Sequence, residues 1–132
     1  MTPLFLGLEE IICIHDDQLA RYGGAPGLRD PGLLQSALQT PQAGVSGGYL
    51  HDDLYEMAAA YLFHIVQNHP FIDGNKRVAA VSALVFLKLN GVEIVAANDA
   101  LVEMVLNVAT GGMSKVGVAE FLRRHAKEQG GR

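Results

Sequence analysis

A short break, Pro70 to Gly74, separates two segments of strong helical character, and it constrains this chain more than any other feature. Proline has no N–H to donate and disfavours helical geometry in the residue before it, so no helix runs through Pro70. Upstream, Leu54, Met57, Ala58, Tyr61, Leu62 and Ile65 mark one helical face that ends near Asn68. Downstream, a helix begins near Asn75 and ends at Asn90-Gly91, a glycine stop. From Val78 to Leu87, Ser82 is the only polar side chain, so this helix is expected to be the buried central one. The apolar run is far shorter than the roughly 20 residues that span a bilayer.

The rest of the chain also reads as helical. Leu8, Ile11, Ile12, His15 and Leu19 follow helical spacing and Gly23-Gly24 close the segment. Asp30-Pro31 is a cap followed by proline at the first helical position, opening a helix that runs to about Gln39 and stops before Pro41. Pro41 to Tyr49 holds Gly44, Gly47 and Gly48 and is expected to be a surface flap or irregular hairpin. Asp53 to Glu56 resembles a capping box. Val92 to Val95 reads as an extended link, Leu101 to Ala109 as a fifth helix closed by Gly111-Gly112, and Ser114 as the cap of a sixth. The tail from about Lys127 is expected to fray. The fold class is therefore all-α: about six helices around a buried central helix, with a short flap, in one domain over residues 1–132.

Composition excludes several function classes. The chain is 49% hydrophobic and 18% charged with net charge −4, which fits a globular domain. It has no dense Lys/Arg run, so direct nucleic-acid binding is not expected. Met1 to Leu8 lacks the basic and apolar regions of a signal peptide, and no membrane association is expected. Cys13 is the only cysteine, which fits a reducing, cytoplasmic compartment; it is expected to be buried as a small apolar residue.

The break itself carries the chemistry. His69, Asp73, Asn75, Lys76 and Arg77 surround one helix start. Such a start presents unpartnered N–H groups and a positive dipole end, which favour a bound phosphate. Gly74 permits a tight turn and close approach of a ligand. Asn75 can donate an amide hydrogen bond, Lys76 adds a point charge, and Arg77 adds a bidentate fork. Asp73 is a hard oxygen ligand suited to Mg²⁺. An imidazole in general can accept a proton near neutral pH, which makes His69 the candidate to take one from an attacking hydroxyl. Each residue has a structural reading: a dipole partner, an Asp-Gly turn, a solvated Lys-Arg pair. Two cations at a helix N-terminus oppose the dipole, however, and so favour an anion ligand.

The run His69-Pro70-Phe71-Ile72-Asp73-Gly74-Asn75-Lys76-Arg77 resembles the signature of the Fic/Doc superfamily. Fic proteins have glycine where Lys76 stands, and lysine marks the Doc (death-on-curing) branch. Arg21-Tyr22-Gly23-Gly24, Gly27-Leu28-Arg29-Asp30, Phe86-Leu87 with Asn90-Gly91, and Ala109-Thr110-Gly111 also look Doc-like. The resemblance implies the toxin of a toxin–antitoxin pair, a kinase that moves the ATP γ-phosphate to a threonine of elongation factor Tu and stops translation. Fic relatives transfer AMP instead, so protein adenylylation is the alternative. A non-catalytic, antitoxin-binding module is a further one. By similarity, His69 is the base and Asp73 holds Mg²⁺. Gly74, Asn75, Lys76 and Arg77 bind nucleotide phosphates, and Phe71 anchors the loop. The implied partners are a cognate, Phd-like antitoxin with a disordered C-terminal segment and the translation factor. Lys76 fills space that glycine leaves open, which favours γ- over α-phosphate transfer. The wholly apolar Val78 to Val81 lacks the polar residues of some Doc relatives.

The remaining histidines read as structural. His15 lies on an apolar face and is expected to be a core residue tied to Asp16 or a backbone group. His51, His64 and His125 have no evident partners, and Asp52-Asp53 reads as helix capping.

Overall fold

The computed structural model describes residues 2–45, 48–51 and 53–128. The elements are α1 (Leu8–Tyr22), α2 (Pro31–Gln39), a 3-10 turn (Thr40–Gln42), β1 (Gly44–Val45), β2 (Gly48–Tyr49), α3 (Leu54–Asn68), α4 (Asn75–Leu89), β3 (Val92–Ile94), α5 (Asn98–Ala109), α6 (Lys115–Arg124) and β4 (Ala126–Glu128). The six helices and the flap, a hairpin of β1 and β2, are as the sequence predicts. Three helix starts are capped by side chains: Asp30 accepts from the Leu33 N–H, Asp53 from Glu56 and Ser114 from Gly117. Asp52 and two flap residues, Ser46 and Gly47, lie outside the described residues.

The central helix is α3, not α4. Helix α3 meets α2, α4, α5 and α6 and buries Met57 through Leu62, Ile65 and Val66. Ala58, Ala59 and Ala60 are wholly buried, and such small side chains let neighbours approach from several sides. Helix α4 buries Val78, Ala79, Ser82, Ala83, Phe86 and Leu87 but leaves Val85 and Leu89 exposed. Apolar content alone does not distinguish the two helices, because folded surfaces also carry apolar side chains.

The N-terminal segment straps across this pair. Tyr61 is fully buried, and its hydroxyl accepts from the Leu6 N–H at 2.8 Å while donating to the Leu6 carbonyl at 3.0 Å. Burial pushes the phenol up to about 12, so it stays protonated. Phe86 stacks between Phe5 and Tyr61, and Asn90 bonds both backbone groups of Leu4.

Two expectations about extended structure need correction. Val92–Ile94 is a strand rather than a link, and Lys127 and Glu128 of the expected frayed tail are in a strand, while its residues 129–132 lie outside the described residues. Ala126–Glu128 pairs with Val92–Ile94 antiparallel, with Ile94 opposite Ala126 and Glu93 opposite Lys127. Such pairing joins segments far apart in sequence, and each strand is only three residues long, too short for alternation to announce it. Cys13 is exposed rather than buried, because the inward face of α1 is set by Ile11, His15 and Gln18. His125 bonds the Phe121 carbonyl at 2.8 Å.

His64 on α3 and Lys115 on α6 have a partnership the sequence did not reveal. The Lys115 ammonium donates to His64 Nε2 at 3.1 Å. Burial, then the charges of Lys115 and His51, lower His64 from 6.5 to about 4. The unfolded chain therefore binds a proton, as pH falls from 6.5 towards 4, that the folded chain excludes. Stability from this group is complete above pH 6.5 and is lost through that window. In His64→Gln, chemical denaturation across pH 4–7 should show a shallower decline than wild type. Tyr61→Phe leaves both Leu6 backbone groups without their partner and should cost about 1–3 kcal/mol in urea denaturation.

Candidate active site

The site is built where α3 ends and α4 begins. His69 takes the left-handed conformation at the end of α3, φ 51° and ψ 54°, and its N–H bonds the Ile65 carbonyl. It is the only non-glycine with positive φ among the described residues. Glycine is the usual residue at such a helix end, and an L-residue there carries roughly 1–2 kcal/mol of strain. The histidine is nevertheless exposed, so its side chain is not held there by core packing.

The loop that follows is fixed from inside. Phe71 is buried and stacks on His15, with centroids 3.9 Å apart. Asn75 is buried as well, and its side chain accepts from the Phe71 N–H at 2.8 Å and donates to the Phe71 carbonyl at 2.9 Å. The expected amide donation by Asn75 is thus made to the loop, leaving its backbone N–H for an anion. His15 is the core histidine foreseen, tied to a backbone group rather than to Asp16: Nε2 lies 2.9 Å from the Asp73 carbonyl. A carbonyl only accepts, so that nitrogen carries the proton.

The segment between α1 and α2 clamps the loop from outside. Ile72 donates to the Gly27 carbonyl, and the Pro70 carbonyl accepts from the N–H groups of Arg29 and Asp30. The Arg29 side chain donates to the His69 carbonyl at 2.7 Å and the Asn68 carbonyl at 2.8 Å. Asp73 accepts from Ala25 N–H at 3.1 Å and Gly74 N–H at 2.9 Å. A Cβ at Gly24 would stand 2.8 Å from Asp73 Oδ2, so only glycine fits this approach. Ala25 N–H first, then Gly74 N–H and more weakly Arg77 and His15, hold the Asp73 carboxyl below its ordinary value.

Helix α4 starts without a side-chain cap. Its N-cap is Gly74, left-handed at φ 82°, and its first turn has no acidic residue. Lys76 and Arg77 are exposed in that turn, and the Arg77 guanidinium lies 4.9 Å from the centre of the Tyr22 ring. The structure thus brings His69, Asp73, Gly74, Asn75, Lys76 and Arg77 onto one loop and one helix start.

The sequence that builds this site has relatives. The Fic/DOC family pattern covers residues 5–87, from before α1 through most of α4. The chain belongs to the Fic/Doc family. It is 41% identical over 116 residues to "Protein kinase doc" of Escherichia phage P1, covering 88% of this chain and 90% of that protein. It is 44% identical over 78 residues to "Toxin Doc" of Mycolicibacterium smegmatis, covering 59% of this chain and 60% of the relative.

Within this Fic/Doc domain, the sequence marks Arg21 to Gly24 and Gly27 to Asp30 as Doc-like but does not show that the end of α1 and the segment after it reach the site. Tyr22, Gly24, Ala25 and Arg29 all touch the site residues. One signal was legible: Arg29 directly precedes the Asp30 cap of α2, where a cation opposes the dipole. The strain at His69 gives a test that needs no substrate. His69→Gly should be more stable than His69→Ala by about 1 kcal/mol in urea titrations. Equal stabilities would show that the left-handed turn stores no strain.

Proposed function

We propose that this chain is a Doc-type toxin, a cytoplasmic protein serine/threonine kinase. It transfers the γ-phosphate of ATP to a hydroxyl of a translation factor, elongation factor Tu, and so inhibits translation. The names of the two relatives, a protein kinase and a toxin, support this reading. So does one observation above others: an exposed histidine is kept in a strained turn, directly before a helix start that has two cations and no side-chain cap. Strain retained at a position that favours glycine points to a role for the side chain. Among the described residues no helix is long and apolar enough to cross a membrane. The whole of 1–132 acts as one Fic/Doc domain, since α5 and α6 pack on α3.

In the proposed reaction His69 takes the proton of the target hydroxyl as its oxygen bonds the γ-phosphorus. The bond from that phosphorus to the β,γ-bridging oxygen breaks, and ADP leaves. The backbone N–H of Asn75, together with Lys76 and Arg77, holds the phosphates and offsets the charge that moves onto the bridging oxygen, while Gly74, whose N–H is given to Asp73, lets the phosphates approach closely. Asp73 fits a single-carboxylate role towards Mg²⁺: it is exposed, and it is a hard oxygen donor that, like any ordinary aspartate, is ionised at neutral pH. Among the described residues no three His, Cys, Asp or Glu side chains gather into a metal site, which agrees with an ion held mostly by phosphate and water. Bound Mg²⁺ would supply charge neutralisation on the phosphate oxygens. A cognate, Phd-like antitoxin with a disordered C-terminal segment is the proposed regulatory partner.

Incubation with elongation factor Tu should transfer label from γ-labelled but not α-labelled ATP. His69→Ala should lower the rate about 10²–10⁴-fold, and Lys76→Gly should raise the share of α-label. Transfer of α-label by the wild-type protein would replace this reading with AMP transfer. Growth arrest left intact by His69→Ala would favour a non-catalytic binding module.

A further inference from the structure

We infer that Arg29 is the positioning residue for His69. The inference rests on His69 being the base. Arg29 bonds three consecutive carbonyls of the strained turn: Nη2 donates to Asn68 at 2.8 Å, Nε to His69 at 2.7 Å, and the backbone N–H to Pro70 at 2.7 Å. The first two carbonyls close the negative end of α3, where a cation is favoured. The same cation stands beside the positive end of α2, where it is disfavoured, so its placement is explained by α3 rather than by its own helix. Charge-assisted bonds to carbonyls are the stronger kind, and a planar fork fixes direction as well as distance.

The consequence is mechanical. His69 departs from the backbone region that L-residues prefer, and its imidazole is exposed rather than packed in the core. Its main chain therefore determines where the ring is carried. Arg29 holds the carbonyls on either side of the His69 Cα, those of Asn68 and of His69 itself. Without the fork, the turn is free to relax out of the left-handed well and carry the imidazole away from the α4 start. Arg29 acts through His69 and touches neither the hydroxyl nor the nucleotide.

The test compares wild type, Arg29→Ala, Arg29→Lys and His69→Ala in the labelled-ATP assay with elongation factor Tu. Amide hydrogen exchange is followed at His69, whose N–H bonds the Ile65 carbonyl. In Arg29→Ala, kcat should fall about 30- to 100-fold with KM for ATP within about 3-fold, because a misplaced base lowers turnover and not nucleotide binding. Exchange at His69 should accelerate. Arg29→Lys keeps the charge without the fork and should lose about 5- to 20-fold in kcat. An unchanged kcat in Arg29→Ala overturns the inference, as does a higher KM at constant kcat, which would put Arg29 on the phosphates. If circular dichroism shows that Arg29→Ala does not fold, Arg29→Lys decides by the same two criteria. His69→Ala separates the two claims: wild-type turnover there removes the base assignment itself. A dead His69→Ala beside a fully active Arg29→Ala removes only the positioning role.

Discussion

The pairing of Asn75 with Phe71 is the constraint on which the rest of the site depends. One buried amide satisfies both backbone groups of a buried aromatic residue four positions earlier. A loop taken into the interior must find partners for its polar groups, because each one left unpaired is costly. Asn75 meets that need and stands at the first position of α4. The same residue therefore closes the loop and starts the helix. Phe71 fixes the depth of the loop by packing on His15, and His15 in turn bonds the Asp73 carbonyl. A short chain of contacts thus sets the height of the α4 start relative to the core.

With the inner side fixed this way, the outer side is left open for chemistry. Lys76 and Arg77 project into solvent one and two residues after a fully committed asparagine. The segment from Gly24 to Asp30 then completes the frame without covering the helix start. Its contributions are mostly backbone groups: Ala25 N–H to Asp73, Gly27 carbonyl to Ile72, and the N–H groups of Arg29 and Asp30 to Pro70. Backbone donors, Ala25 N–H foremost, account for most of the downward shift of the Asp73 carboxyl. A cavity of about 180 Å³ is lined by Glu56, Lys115 and Arg123 on α3 and α6. The α4 start, with Lys76 and Arg77 exposed, lies open on the surface instead, which suits the proposed transfer to a hydroxyl presented by another macromolecule.

How much of this was legible in the sequence follows the range of the interactions. The helices were readable because their signals are local: Asp30-Pro31, Asp53 and Ser114 cap within three residues, and apolar side chains recur at helical spacing. The loop was readable because Pro70 and Gly74 act on their own backbone. What escaped was long-range. The β3–β4 ladder joins Ile94 to Ala126, the His64–Lys115 pair joins two helices, and the Arg29 fork reaches to residues 68 and 69. The rank of α3 over α4 escaped for a related reason. Burial of Ala58, Ala59 and Ala60 is a property of their neighbours, whereas hydropathy records only the residue itself.

His69 and Gly74 occupy the same backbone region at opposite ends of one loop, φ 51° and φ 82°. At Gly74 the conformation is nearly free, and the missing side chain leaves the helix start uncapped. At His69 it costs energy that glycine would not incur, and it is retained with an imidazole exposed to solvent. If stability alone governed the loop, both ends would favour glycine. The strain of His69 is tolerable because its neighbours are over-determined: Ile65 holds its N–H, Arg29 its carbonyl, and Phe71 lies pinned two residues on. The rigid frame therefore does more than stabilise the fold. It favours an otherwise unfavourable backbone state, and so keeps the proposed base at the end of one helix near the proposed phosphate site at the start of the next.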